Sequence, residues 1–473
     1  MRSAMPHIRS SSSLALRRLL LATAGVGLGL CAGMGEGSAM TLTEALAAAY
    51  NNNPTLLAQR ARLRESDEGI NQALSGWRPT VQFTGSAGVQ RNEESGFNQQ
   101  TLVPRNIDLN VIQNVYNGGR TVAQTAQAEN TVRATRAQTL ATEQAVLFSV
   151  VTAYMDVVQN QAVLDLSINN EQVLRRQLEA SQDRFRVGEI TRTDVAQSES
   201  RYAGATADRV QAEGTLQNSR AAFERAVGEP PGLLQPPVEH PVLPVTRAES
   251  ASLAGSNNPN VIAAQFTEAA ARDNVRNVRG QLLPQLNIIG DLNKAQEVTV
   301  NLRNTTANSA SIIARVTVPL YEAGQFYSQT RQALEVVGQR RSELDDTRRQ
   351  VVQIAESDYE TIQALRARIT SLQSTIRAAE IALEGVQQEA AVGARTVLDI
   401  LDAEQEVFTD RVNLVRSQHD LAISEFDLAQ QVGRLNAVDL KLPVEVYDFD
   451  IHYKSVRDKW IGFTPPGNAA GNQ

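Results

Sequence analysis

Arg186-Val187-Gly188-Glu189-Ile190-Thr191-Arg192-Thr193-Asp194 returns in altered form as Ala391-Val392-Gly393-Ala394-Arg395-Thr396-Val397-Leu398-Asp399, 205 residues downstream. The same displacement carries Asn52-Asn53-Pro54 to Asn257-Asn258-Pro259, Pro79 to Pro284 and Gly85 to Gly290. It also carries Tyr116 to Tyr321, Gly119 to Gly324, Tyr154 to Tyr359, Glu199 to Glu404 and Gly228 to Gly433. Chance matches would scatter in displacement; a constant one over about 180 residues marks an internal duplication. The chain is therefore read as two copies of one unit, 40–228 and 246–433. A Pro-rich connector, 229–245, joins them, and a tail, 434–473, follows.

Proline placement sets the secondary structure of each copy. Residues 120–229 and 320–442 contain no Pro, although the chain has 16, and both stretches are rich in Ala, Gln, Glu, Arg and Leu. Such residues lose little side-chain freedom in a helix. Leu147, Val150, Tyr154, Val157, Leu164 and Ile168 recur at steps of three, four and seven, a coiled-coil seam. Gly188 and Gly393 are expected to end the two long helices in a left-handed turn. A helix over 119–186 would be on the order of 100 Å long. Shorter helices over about 41–75 and 192–227 would together match it end to end, the first opened by a capping box at Thr41-Leu42-Thr43-Glu44.

Between these helices the period changes from 3.6 to 2. Val81, Phe83, Gly85, Ala87 and Val89 alternate with polar residues, as do Ile107, Leu109 and Val111. Gly96 and Pro104 lie between them, and the second copy keeps the phase at Leu286, Ile288, Gly290 and Leu292, then Ile312, Ala314, Val316 and Val318. Two hairpins, 80–116 and 285–321, have the length and alternation of transmembrane β-segments; a surface hairpin packed on the helices is the competing reading. Four strands per chain cannot close a barrel, and open edges are not tolerated in lipid, so several chains would have to pool their strands.

Composition limits the function classes. The chain has 45 Lys and Arg against 52 Asp and Glu, a net charge of −7, which argues against nucleic acid as a partner. Arg2, Arg9, Arg17 and Arg18 precede or open an apolar run that ends in Gly37-Ser38-Ala39, so residues 1–39 read as a secretory signal peptide rather than a membrane anchor. Its removal leaves 41 basic against 51 acidic residues, a net charge of −10, and takes the single cysteine, Cys31. A lipoprotein role for Cys31 is the weaker alternative, because Leu30 stands where a small residue is expected. His240, His419 and His452 are scattered without metal-ligand or catalytic spacing and are expected to be surface residues. No enzyme, metal or cofactor motif was found.

LTEALAAAYNNNPTL, Gly76-Trp77-Arg78-Pro79, Val115-Tyr116-Asn117-Gly118-Gly119-Arg120, Arg186-Val187-Gly188 with Thr193-Asp194-Val195, and Val392 through Asp402 carry a resemblance to the TolC family of outer-membrane channel proteins. It covers nearly the whole chain after the signal. The resemblance implies a mostly α fold with a transmembrane β part, in which a homotrimer forms one 12-stranded barrel continued by a periplasmic α-helical barrel. The connector and part of the tail would form an equatorial region round its waist. It implies an exit duct for small-molecule efflux or type I protein secretion, working with a periplasmic adaptor and an inner-membrane pump of the RND or ABC type. Position by position, it makes Arg186, Val187, Gly188 and Thr191, with Val392, Gly393 and Thr396, the tips that meet the adaptor. Thr193, Asp194 and Arg395 resemble interhelical gating contacts. Asp399 and Asp402, one turn apart, resemble a cation-binding constriction; the plainer reading of Asp399 is a residue near a helix N-terminus. Ala390 departs from the family pattern, which has a gating Tyr there. A soluble periplasmic coiled-coil scaffold or adaptor is the alternative; a passive nutrient porin fits poorly with so much helix.

Overall fold

The computed structural model describes residues 40–93, 99–236, 241–296 and 305–463, all within one compact unit. The signal reading with Cys31, the loop residue Gly96, Pro237, His240 and the end of the tail lie outside the described residues.

The first copy opens with two helices where the pattern predicts one. α1 spans Leu42–Asn52 and α2 spans Pro54–Leu74. Pro54 has no N–H to continue α1 and holds Asn53 extended, so Asn53 ends one helix and caps the next through Thr55 N. Its side-chain amide then donates to Ala226 O at 3.1 Å, fixing the joint against the far end of the copy. The Thr41–Glu44 capping box is formed as expected.

α3 (Arg120–Arg186) and α4 (Arg192–Val227) follow, separated by the Gly188 turn. In the second copy α5 (Arg247–Asn257), α6 (Pro259–Arg279), α7 (Gln325–Ala391) and α8 (Val397–Gln431) begin 205 residues after their counterparts. Asn258 repeats the joint of Asn53, donating to Gln431 O at 3.0 Å. α9 (Phe449–Arg457) lies in the tail and packs on α2. No described helix is long and apolar enough to cross a membrane.

The strands are β1 (Thr80–Ala87), β2 (Gln90–Asn92), β3 (Gln100–Leu102), β4 (Arg105–Asn117), β5 (Gln285–Gln296) and β6 (Thr306–Thr317). β2 and β3 extend the first hairpin; the main sheet is antiparallel in the order β1-β4-β5-β6. Its register aligns one apolar face. Phe83 faces Leu109, which faces Leu292, which faces Ala310. One pair along, Val81, Val111, Gly290 and Ile312 line up in the same way. The other face carries Gln82, Asn110, Asp291 and Ser311. The apolar side is bare: Phe83, Ile312 and Val316 are exposed. In the chain alone β1 and β6 are edges.

The core sits where the copies and the tail meet. Tyr154 and Phe223 are fully buried with their rings 6.2 Å apart, among Leu147, Val150, Leu216 and Phe426. Tyr154 Oη lies 2.6 Å from Gln235 O and 2.9 Å from Met40 O, tying the connector to the start of the copy. Ala437 N donates to Glu143 Oε1 at 2.9 Å, which brings the tail onto α3. α3 has 21 buried residues and its counterpart α7 only five, so the flank without neighbours belongs to α7.

Candidate gate and docking tips

Both helical turns end in the same local geometry. Gly188 and Gly393 have φ of +80°, a conformation that costs a side-chain-bearing residue dearly. Gly188 N donates to Phe185 O and Glu189 N to Arg184 O; Gly393 N and Ala394 N donate likewise to Ala390 O and Glu389 O. These are Schellman ends, in which the turn satisfies the last carbonyls of the long helix. They leave Val187 and Val392 projecting, 72% and 81% exposed, an unusual place for β-branched apolar side chains unless something covers them. Arg186 pairs with Asp183 one turn back.

The next helix starts at once. Thr191 caps α4 and Thr396 caps α8, each in a reciprocal box with the acid three residues on. Asp194 Oδ2 accepts from Thr191 N at 2.9 Å, and Asp399 Oδ2 accepts from Thr396 N at the same distance. The Asp399 carboxyl is held below the usual range by the Thr396 backbone N–H first and the Thr396 hydroxyl next; desolvation opposes them, and the Arg395 charge adds a lesser pull downward. Arg395 donates through Nε to Glu389 Oε2 at 2.8 Å, inside its own tip. Within one chain it meets neither Asp194 nor the exposed Thr193. Asp402 does reach between helices: Arg201 on α4 donates to its Oδ1 at 2.6 Å. Beneath the turns Leu174, Ala205, Val397 and Leu401 form one apolar cluster, so the two tips pack together.

Sequence reading missed Glu389 and Arg201 as partners. An acid within one turn of the Gly393 bend was a usable signal; nothing local pointed to Arg201, 201 residues from Asp402. The histidines depart from expectation. His419 and His452 are not free surface residues: their side chains are 14% and 13% exposed, and they lie 2.9 Å from Asp156 and Asp67. Both carboxylates are distant in sequence, so spacing could not reveal them. No group of described residues is arranged to hold a metal ion.

The profile described as "Outer membrane efflux protein" matches residues 45–229 and 251–434, most of the chain. The chain belongs to the outer membrane efflux protein family. The outer membrane efflux protein BepC of Brucella suis is 34% identical over 426 residues, covering 90% of this chain and 92% of that one. The alkaline protease secretion protein AprF of Pseudomonas aeruginosa is 26% identical over 305 residues, 63% of each chain. The crystal structure of the outer membrane protein VceC of Vibrio cholerae shares the fold, with a TM-score of 0.74 at 20% identity, over 83% of this chain and 96% of that one. As an outer membrane efflux protein the chain is an exit duct in the outer membrane with a large periplasmic part, and its family is one of channels rather than enzymes. The two tips lie at the ends of the long helices remote from the sheet.

Proposed function

We propose that three copies close one 12-stranded barrel in the outer membrane and stack their helices into a periplasmic tube. That tube carries small molecules, or proteins of type I secretion, outward without consuming energy itself. The observation that supports this most is the sheet: four strands per chain, one continuous apolar face, and two unpaired edges. Lipid accepts such a face and refuses such edges, which together require closure by further copies. The reading extends to the organisation 40–228, 229–245, 246–433 and 434–473 set out above, with residues 1–39 removed on export.

Energy enters through a periplasmic adaptor and an inner-membrane pump. The adaptor docks at the tips, over Arg186, Val187, Gly188 and Thr191 and over Val392, Gly393 and Thr396, covering the two bare valines. In the resting tube Arg395 reaches Thr193 and Asp194 of the partner subunit, exchanging its Glu389 contact for theirs. A charge-assisted contact of this kind holds helices together, yet yields when a docked partner offers substitutes. Asp399 and Asp402, repeated by the three-fold axis, line the constriction and attract cations.

Fractionation tests the proposal. The protein is expected in the outer membrane as a heat-modifiable trimer, and its deletion should abolish export of at least one cargo. Finding it only as a soluble periplasmic monomer would leave the scaffold or adaptor reading in its place.

A further inference from the structure

The duplication makes the joint between the two copies of one chain a template for the joint between chains. Adding 205 to a first-copy residue and subtracting 205 from its second-copy partner gives the pair that the same geometry would place across a subunit boundary. This step rests on the trimer proposed above.

Applied to the sheet, the template gives a sound seam. Val111 faces Gly290 within the chain, so Val316 would face Gly85 of the partner subunit; Leu109 and Leu292 become Ala314 and Ala87. The pairs stay apolar and the faces stay aligned.

Applied to the helices, it gives a seam stripped of its ties. Asn130 Nδ2 donates to Asp273 Oδ2 at 2.8 Å between α3 and α6. The corresponding pair across chains is Glu335 with Glu68 of the partner subunit, two carboxylates. Asp156 meets His419 at 2.9 Å between α3 and α8; across chains the template would set Thr361 against Gly214 of the partner subunit. Arg201 meets Asp402 at 2.6 Å between α4 and α8; across chains the template would set Glu406 against Gln197 of the partner subunit. Backbone approach follows the same trend. A Cβ on Gly118 would lie 2.1 Å from Gly280 O, so this contact needs glycine. Across chains its members are Ala323, itself at φ +49°, and Ser75 of the partner subunit, each with a Cβ.

We infer that the tube has two kinds of joint in alternation: three within chains, cross-linked by polar pairs, and three between chains, which lack them and carry an opposed carboxylate pair, Glu335 against Glu68 of the partner subunit. The chain-to-chain seam parts first. Between the sheet, whose pairing carries over, and the Arg395 contact at the tip, none of the three internal ties carries over to it.

The experiment uses the exported trimer, which carries no cysteine once residues 1–39 are removed. Glu68→Cys with Glu335→Cys should give, on oxidation, a ladder up to a covalent trimer. Asn130→Cys with Asp273→Cys should close within the chain and give none. A trimer by native mass that yields no ladder overturns the seam assignment and leaves the trimer standing; a monomer by native mass overturns both. Weakness of the seam is tested by rebuilding the internal pair there, Glu335→Asn with Glu68→Asp. Dissociation of the trimer in hot detergent should slow roughly tenfold, the effect of one well-placed bond to a charged group. An unchanged or faster rate overturns the inference.

Discussion

His419 Nε2 lies 2.9 Å from Asp156 Oδ1 across the contact of α8 with α3, while its Nδ1 lies 3.1 Å from Asp420 on its own helix. Burial pulls the imidazolium pKa down, and the bonds and charges of Asp156 and Asp420 together outweigh it, so the pKa stands above the usual histidine value. A group raised in the folded state adds stability below its unfolded pKa of about 6.5 and loses that contribution as pH climbs through the folded value. Thermal melts of wild type against His419→Gln should therefore differ most below about pH 6.5 and converge as the pH climbs beyond the raised folded-state value. Parallel curves across that range would remove His419 as the tie.

At Asp358 burial wins instead. Its carboxyl is pushed up to about 7 by burial first and by the Asp427 charge second, and one oxygen is buried without a hydrogen bond. Such an acid favours the fold while protonated, fully so below its unfolded pKa, and the contribution fades as pH rises toward 7. Asp358→Asn should stabilise the protein at pH 8 by roughly 1 kcal/mol, a figure kept low because the group is partly solvated, and change little near pH 4. Chemical denaturation at the two pH values reads the difference.

The tip glycines can be separated from the tip side chains. Gly188→Ala or Gly393→Ala places a Cβ at φ +80° and should cost about 1 kcal/mol each, with partial loss of adaptor capture. Val187→Ser with Val392→Ser leaves the turns intact and removes only the exposed apolar surface. Capture measured with the cognate adaptor should fall in both variants, but only the glycine variants should also melt earlier.

Asp399 and Asp402 differ in what else they do. Asp399 closes a capping box and Asp402 pairs with Arg201. In planar bilayers, replacing both with Ala should weaken block by multivalent cations. Asp399→Asn with Asp402→Asn should do the same while sparing more of the local hydrogen bonding. Block unchanged in both would place the constriction elsewhere.

What the sequence made legible was what repeats or alternates locally. The limits of α4 followed from a Pro-free run between Gly188 and Gly228, because helix punctuation is written in adjacent residues. The apolar face of the sheet followed from alternation at Val81, Phe83, Leu109 and Val111. Pro54 held the break between α1 and α2 in plain view, yet the apolar period runs on through it. The pairings of His419 with Asp156, His452 with Asp67 and Arg201 with Asp402 were not legible. Each joins residues more than 200 positions apart, and a surface carboxylate looks the same in sequence whatever it meets.

In the barrel proposed above, the bare edges of β1 and β6 decide when the protein enters a bilayer. A lone chain carries two rows of backbone amides with no companion, and hydrocarbon supplies none. Insertion therefore waits on encounter, and its rate climbs steeply with the supply of unassembled chains. In the trimer proposed above, an early chain would wait in the aqueous periplasm until two more arrive. Biogenesis is thereby a problem of meeting in time, set by the rate of synthesis as much as by the stability of the finished pore.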